Sequence, residues 1–298
     1  MNLRHLKYFV ATAETGQVSR AAVALSISQS AITGAIKELE QQIGGALFSR
    51  TPSGMELTHT GRRFLSSAYD ILAKVEDTLG MHTDESSISG HLSLAATYTV
   101  LGYFLPQHLG RIQRQHPGLT IEIHELNREN IEEGLLSNRF DIAMLLTSNI
   151  NNPEISTETL LSSPRRLWLP SGHHLLDRDR VAFNDIVDEP YVMLTVDEAA
   201  YSTNRYWADI GFQPKPRLRT SSVEAVRSIV ANGLGVTILS DMVYRPWSLE
   251  AKRIETLVPV EPVPPMNVGL AWRSGAEFSE AMTALKDYFR AAFLIHGR

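Results

Sequence analysis

The chain is expected to be an α/β protein with an all-helical N-terminal part, and three features of its 298 residues carry that expectation. Apolar residues recur at three- and four-residue steps up to about residue 81, whereas short alternating runs intervene between helical stretches from His91 onward. A polar, Gly-ended stretch, His82–Gly90 (HTDESSISG), separates the two regimes. Charge divides the same way. Residues 1–65 hold seven basic against four acidic side chains, an excess of +3; the whole chain carries −5, which leaves −8 for the rest.

Composition narrows the classes. Hydrophobic and charged fractions of 43% and 20% are ordinary for a globular chain long enough for two or three domains. Cysteine is absent, which excludes disulfides, thiol catalysis and cysteine metal sites and fits a reducing, cytoplasmic setting. The opening MNLRHLKYFV has no long apolar run, so no signal peptide is expected, and no stretch approaches the roughly 20 apolar residues of a membrane helix.

Leu3, Leu6, Phe9, Val10 and Ala13 predict a helix over Arg4–Glu14, stopped by Thr15-Gly16. Ser19 is a candidate N-cap for a second helix with Ala21, Ala22 and Leu25 inside. Ser26-Ile27-Ser28 makes the turn, with Ser28 placed to cap a third helix over about Gln29–Ile43. Ile32, Ala35, Ile36, Leu39 and Ile43 form its buried stripe. The opposite face shows Gln29, Ser30, Thr33, Gly34 and Lys37. Short hydrogen-bonding groups suit base edges and a cation suits phosphate, although a solvated helix face has the same look. Gly44-Gly45 then ends the helix, and Phe48 to Thr58 reads as a hairpin with Arg50 near its tip. A helix-turn-helix followed by such a hairpin is a winged helix-turn-helix, a device for placing one helix in the major groove of double-stranded DNA. Its wing arginine is placed for the minor groove or a phosphate.

Residues 1–62 resemble the DNA-binding domain of the LysR-type transcriptional regulators. The matching residues are Leu6, Phe9, Gly16, Ala21-Ala22, Leu25, Ser28-Gln29, Ala31, Thr33, Ile36, Leu39-Glu40, Gly44, Leu47-Phe48, Arg50, Leu57-Thr58 and Gly61. Gln17, Ser30 and Gly34 depart from the usual Ser, Pro and longer polar residue, so the operator sequence does not carry over from relatives. On this resemblance Gln29, Ser30, Thr33 and Gly34 face bases, while Lys37, Arg50 and Thr58 position the DNA backbone.

Thr60–Met81 is a long helical pattern with Phe64, Ala68, Ile71, Leu72, Val75 and Leu79 along one edge. The spacing suits a seam with a second copy, and equally a helix packed on its own domain. The resemblance implies the former: a linker helix that makes a homodimer, an inverted-repeat operator to match, and a homotetramer built as a dimer of dimers.

Beyond His91, strands are expected near Leu92–Ala96, Leu119–Glu125, Phe140–Leu146, Arg166–Leu169, Tyr191–Leu194, Arg217–Arg219, Gly235–Leu239 and Val268–Trp272. Helices are expected over Tyr103–Gln115, Glu129–Asn138, Tyr201–Ile210, Val223–Ala231 and Phe278–Leu294. This alternation predicts parallel sheets in two lobes with a cleft between them. It matches the effector domain of the same family, which resembles periplasmic solute-binding proteins. The expected partition is a winged domain over 1–59, linker helix and hinge over 60–90, and an effector domain over 91–298. Its lobe I would be 91–161 with 267–298, and its lobe II 162–266.

Ligands of α/β sheets sit beyond strand carboxyl ends. That points to Tyr98 and Thr99 after the first strand, Asn127 and Arg128 after the second, and Thr195, Val196 and Tyr201 in the second lobe. The family resemblance implies that Thr99 binds a carboxylate of the effector, and Arg128 could pair bidentately with an acid, though threonines after strands are often N-caps and Arg128 could pair with Glu125 or Glu129. His173-His174 reads as part of a turn rather than a metal site, and Arg165-Arg166 as a solvated pair. No nucleophile elbow, triad or phosphate-binding glycine loop is present, so neither an enzyme nor a cofactor is expected. The expectation is an effector-modulated DNA-binding regulator. A solute-binding or transport protein is the alternative that the two-lobed body alone would permit.

Overall fold

The computed structural model describes residues 1–51, 54–79 and 88–294. It divides into two compact units, Met1–Thr83 and Asp84–Arg298.

In the first unit α1 (Leu3–Thr15) starts where the Asn2 side chain accepts the His5 N–H, and it stops at Gly16 in the left-handed region. Next comes α2 (Val18–Ala24), where Gln17 rather than Ser19 occupies the N-cap position. The expectation for Ser19 fails because the α1–α2 turn is tied one residue pair earlier, by Thr15 Oγ1 donating to the Gln17 carbonyl at 3.1 Å. The third helix, α3 (Gln29–Ile43), is capped by Ser28 Oγ, which accepts the Ala31 N–H at 3.2 Å, and is closed by Gly44. Strands β1 (Phe48–Thr51) and β2 (Gly54–Leu57) form an antiparallel hairpin that leads into α4 (His59–Leu79).

Buried Leu6, Phe9, Ala21, Ile32, Ile36, Leu39 and Leu47 form the core of this unit. The Phe9 ring stands 5.1 Å from Phe48 and 5.0 Å from Phe64, so one side chain on α1 holds both the hairpin and α4. Glu40 on α3 accepts the N–H groups of Leu47 and Phe48 at 2.8 and 3.2 Å, which fixes the chain's return. The turn end of the second strand is fastened as well. Met55 N–H donates to the Gly16 carbonyl at 2.7 Å, and a Cβ on Gly54 would stand only 2.4 Å from that oxygen. Along α4, Ala68 is fully buried against its own unit and Phe64 and Leu72 pack there too, while Ile71 is left exposed. Part of that apolar edge thus packs on its own unit, and Ile71 does not. The expected hinge falls largely on residues 82–87, outside the described residues, as do Met81 and the hairpin tip at 52–53.

The second unit opens with β3 (Ser89–Ala96), α5 (Tyr98–Tyr103), α6 (Leu105–Gln115), β4 (Gly118–Glu125), α7 (Arg128–Leu136), β5 (Ile142–Leu146) and β6 (Ile155–Ser163). It continues with β7 (Arg165–Pro170), α8 (Phe183–Ile186), β8 (Tyr191–Leu194), α9 (Ala199–Asp209), β9 (Pro216–Thr220), α10 (Val223–Ala231), β10 (Thr237–Ser240) and β11 (Ile254–Leu257). Finally β12 (Met266–Arg273) and α11 (Glu280–Leu294) close it. A five-stranded sheet in the order β4-β3-β5-β12-β6 builds one lobe, and the sheets β10-β7-β11 and β8-β9 build the other.

Several expectations need correction. The sheets are mixed: β3 runs parallel to β4 and β5, but β12 is antiparallel to β5 and β6, and β7 to β10 and β11. The reason is connectivity, since β12 re-enters the first lobe from the second instead of following a crossover helix. Strand β6 was not anticipated, because its polar face (Ser156, Glu158, Ser162) hides the alternation of an edge strand. The helix expected from Tyr103 is two helices that break at Phe104. Arg165 is no solvated cation. It donates to the Pro264 and Pro265 carbonyls and lies over the Tyr206 ring, while Arg166 pairs with Asp241 at 2.8 Å.

His108 on α6 is buried in the first lobe among Phe104, Phe289 and Phe293 and hydrogen-bonds the Tyr288 hydroxyl at 3.0 Å. Burial, with Arg111 nearby, pushes its pKa down to about 4. The folded chain then refuses a proton that the unfolded chain accepts below about pH 6.5. Its contribution is therefore complete above that pH and is lost as pH falls toward 4. Denaturant titrations should show stability falling between pH 6.5 and 4, and His108→Phe should flatten that slope by up to about 3 kcal/mol. An unchanged slope would assign the pH dependence to other groups.

Candidate functional site

Two features stand out, one in each unit. On α3, Gln29, Ser30, Thr33, Gly34 and Lys37 are all exposed, while Ile32, Ala35, Ile36 and Leu39 are buried. The Thr33 hydroxyl donates back to the Gln29 carbonyl at 2.9 Å and keeps its lone pairs outward. A Cβ on Gly34 would meet nothing, so the helix backbone itself is open to approach there. Arg50 lies in β1 of the hairpin. The Thr58 hydroxyl donates to the Ala46 carbonyl at 2.7 Å and accepts the Gly61 N–H at 2.9 Å, so it caps α4.

In the second unit a cavity of about 710 Å³ lies between the two lobes. Tyr98, Asn127 and Arg128 reach it from the first lobe and Thr195 and Val196 from the second, as the sequence predicts. Thr99 and Tyr201 do not line it. Thr99 is buried within the first turn of α5, which begins five residues before the expected helix start at Tyr103, and Tyr201 is 70% exposed on α9. Sequence reasoning missed Thr97, Glu125, Asn149, Asp197, Glu198 and Ser222 on the same wall. A signal was available for Asp197 and Glu198, because an acidic pair directly follows the strand carrying Thr195.

These two residues set the cavity's geometry. Both hold left-handed backbone, with φ of 48° and 61°, a conformation that non-glycine residues keep only when something holds them. Each carboxylate is held by the opposite lobe. Asp197 Oδ2 accepts the Thr99 N–H at 2.6 Å, and Glu198 Oε1 accepts from Arg128 Nε at 2.6 Å. Arg128 also donates to Glu132 and lies 3.7 Å from Glu129. A third cross-lobe link joins the Tyr103 hydroxyl to Glu224 on α10 at 3.0 Å. Burial, followed by the nearby Glu224 charge, pushes that phenol up to about 12, so it stays protonated and donates. Ser221-Ser222-Val223-Glu224 has the spacing of a capping box, but Ser222 and not Ser221 is the N-cap residue, so Glu224 does not take the return position. Ser222 alone caps α10, accepting the Ala225 N–H at 3.1 Å, while Glu224 also pairs with the buried Arg227 at 3.0 Å.

Elsewhere, His173, His174 and Glu189 bring ligand-capable atoms within 4.8 Å of one another. They are engaged mutually. His174 Nε2 meets Glu189 at 2.7 Å, the two rings stack at 4.5 Å, and His173 Nδ1 accepts the Leu175 N–H, as suits a turn.

An exposed recognition face on a winged helix-turn-helix, carried with a two-lobed α/β body that encloses a cavity, defines a ligand-responsive DNA-binding protein. Residues 3–62 match the family described as bacterial regulatory helix-turn-helix protein, lysR family, and residues 85–294 match the LysR substrate binding domain. The chain belongs to the LysR family of DNA-binding transcriptional regulators. The hydrogen peroxide-inducible genes activator of Pectobacterium carotovorum subsp. carotovorum is 28% identical over 293 residues, 97% of this chain and 96% of its own length. The HTH-type transcriptional regulator AlsR of Bacillus subtilis (strain 168) is 29% identical and covers 84% of each chain. The crystal structure of HinK, a LysR family transcriptional regulator from Pseudomonas aeruginosa, has a TM-score of 0.63 at 28% identity and covers 97% of both chains.

If Asp197 is what protects the Thr99 amide, Asp197→Ala should speed its hydrogen exchange about ten- to a hundredfold, the value of a hydrogen bond to a charged group. Exchange in β3 and β5 should be unaltered. Equal rates in both proteins would show that the lobes do not depend on this link.

Proposed function

We propose that paired copies of this regulator read an inverted-repeat operator and that a small molecule in the interlobe cavity alters that reading. The carrying observation is the exposed run Gln29, Ser30, Thr33, Gly34 and Lys37 on a helix whose other face is buried. Gln29 and Ser30 stand at its N-terminal end, where a recognition helix meets base edges, and Thr33 offers lone pairs one turn on. Lys37 and Arg50 supply charge for phosphate. Residues 1–59 read DNA, 60–90 link, and 91–298 sense. The role is cytoplasmic, non-catalytic and cofactor-free. In keeping with this, no helix among the described residues is long and apolar enough to cross a membrane.

The assembly is a homodimer through α4 and a homotetramer as a pair of dimers, supported by exposed Ile71 and Tyr69 on a helix where Phe64, Ala68 and Leu72 pack inward. The effector contacts are Tyr98, Asn127, Arg128, Thr195 and Val196, with Thr97 in place of Thr99. A carboxylate effector, the class that Thr99 and Arg128 suggest by residue type, would have to displace Asp197 and Glu198 from those donors. Relatives are named as peroxide-inducible activators, yet this chain has no cysteine, so oxidation of a thiol is not available to it as a signal. The solute-binding alternative is not favoured, since residues 3–62 match a DNA-binding family.

Fluorescence anisotropy of the full-length protein with duplex DNA across salt concentrations tests the reading. Lys37→Ala should weaken all duplexes alike and lower the slope of log K against log salt by about 0.9. No salt-dependent duplex binding at all would overturn the DNA role. Light scattering of Ile71→Glu should show a smaller oligomer at equal concentration, and an unchanged mass would move the dimer contact elsewhere.

A further inference from the structure

Resting on the cavity as the effector site, we propose that its ligand is a cation: a small molecule carrying an amine or guanidine on a short hydrocarbon body. The charged groups lining the cavity are four carboxylates, Glu125, Glu129, Asp197 and Glu198, against the single guanidinium of Arg128. That guanidinium is already matched by Glu198 at 2.6 Å and by Glu132 behind it. A second donor, the Thr99 N–H just behind the lining, is taken by Asp197 at 2.6 Å. The chain thus fills two donors suited to an anion itself, and an excess of negative charge faces the space between the lobes. An entering carboxylate would have to evict an acidic side chain that is tethered in the same cavity, and like charges at such range oppose one another. An ammonium group is drawn by that excess of carboxylates and competes for them with Arg128 and the Thr99 N–H.

An independent observation points the same way. Thr97 lines the cavity and is only 3% exposed, yet its Oγ1 has no hydrogen-bond partner. It occupies the N-cap position of α5 without capping it, because Asp197 reaches the Thr99 N–H instead. A buried hydroxyl left without a partner costs free energy that a bound donor recovers. An N–H of an amine supplies that donor, while Leu126, Leu145 and Val196 offer an apolar wall for its carbon chain. An amine seated between Asp197 and Glu198 would draw both carboxylates away from Thr99 and Arg128, the contacts that join the lobes. Binding and lobe geometry are then one event.

Isothermal titration of the full-length protein with 1,4-diaminobutane and agmatine, against succinate and benzoate, tests the proposal. An amine should bind in the millimolar range or tighter and raise the melting temperature. Asp197→Asn and Thr97→Val should each weaken it about tenfold, as expected for loss of a hydrogen bond to a charged group. Glu125→Gln, at the exposed rim, serves if either variant does not fold, and it too should weaken the amine. Binding of succinate or benzoate alone, sensitive to Thr97→Val, would overturn the ligand class and leave the cavity as the site. Amine binding that none of the three variants changes would overturn the cavity reading and this proposal with it. No binding of either amine at millimolar concentration would overturn the ligand class.

Discussion

The effector unit depends on one constraint: the chain passes between its lobes twice, side by side. It leaves by Ser163-Pro164-Arg165 and returns by Pro264-Pro265-Met266, and β6 and β12 pair along their length up to that point. Arg165 ties the outgoing segment to the incoming one through the Pro264 and Pro265 carbonyls. Ser240 and Ser163 join hydroxyls at 2.7 Å just beside it. Two adjacent connections hold that edge of the lobes together, so the softest relative motion is rotation about it. The cavity lies between the lobes, and polar links and the packing of α5 join them across it.

Those links are costly to hold. Two consecutive non-glycine residues in left-handed backbone store on the order of 1–3 kcal/mol each. They persist because Asp197 and Glu198 each find a partner across the cleft. Helix α5 is the receiving element. Its first turn gives the Thr99 N–H, its last residue gives the Tyr103 hydroxyl, and Tyr98 and Tyr103 pack against the apolar cluster of the second lobe around Trp168 and Val192. A six-residue helix that would be marginal by itself is therefore fixed by the neighbouring lobe.

How much of this was legible in the sequence follows from which interactions are local. The α3 stripe, the Ser28 cap and the stop at Gly44 depend on residues within one or two turns, and all are visible as periodicity and end signals. Residues placed by strand ends, such as Asn127, Arg128, Thr195 and Val196, were found because a sheet delivers whatever follows it to one edge. What escaped was set by long-range pairing. Strand β6 becomes a strand only by lying against β12 more than a hundred residues later. Glu224 looks like half of a capping box until Arg227 and the distant Tyr103 claim it. Thr99 and Thr97 differ by a single helix start: α5 begins at Tyr98 with Thr97 at its N-cap position, which leaves Thr97 at the cavity and puts Thr99 inside the first turn. No periodicity separates these cases, because the competing partner lies in another lobe.

The fastened second strand of the hairpin has a consequence for recognition. Because Met55 is bonded to Gly16 and Gly54 leaves no room for a side chain at that contact, the second strand of the wing and the α1–α2 turn are tied together. Ordering a free backbone residue costs about 1–2 kcal/mol, and here folding has already met that cost in this strand of the wing. The separation between recognition helix and wing acts as a fixed gauge. A duplex is accepted according to how closely its own groove shape meets that gauge, and the work of adjustment passes from protein to nucleic acid.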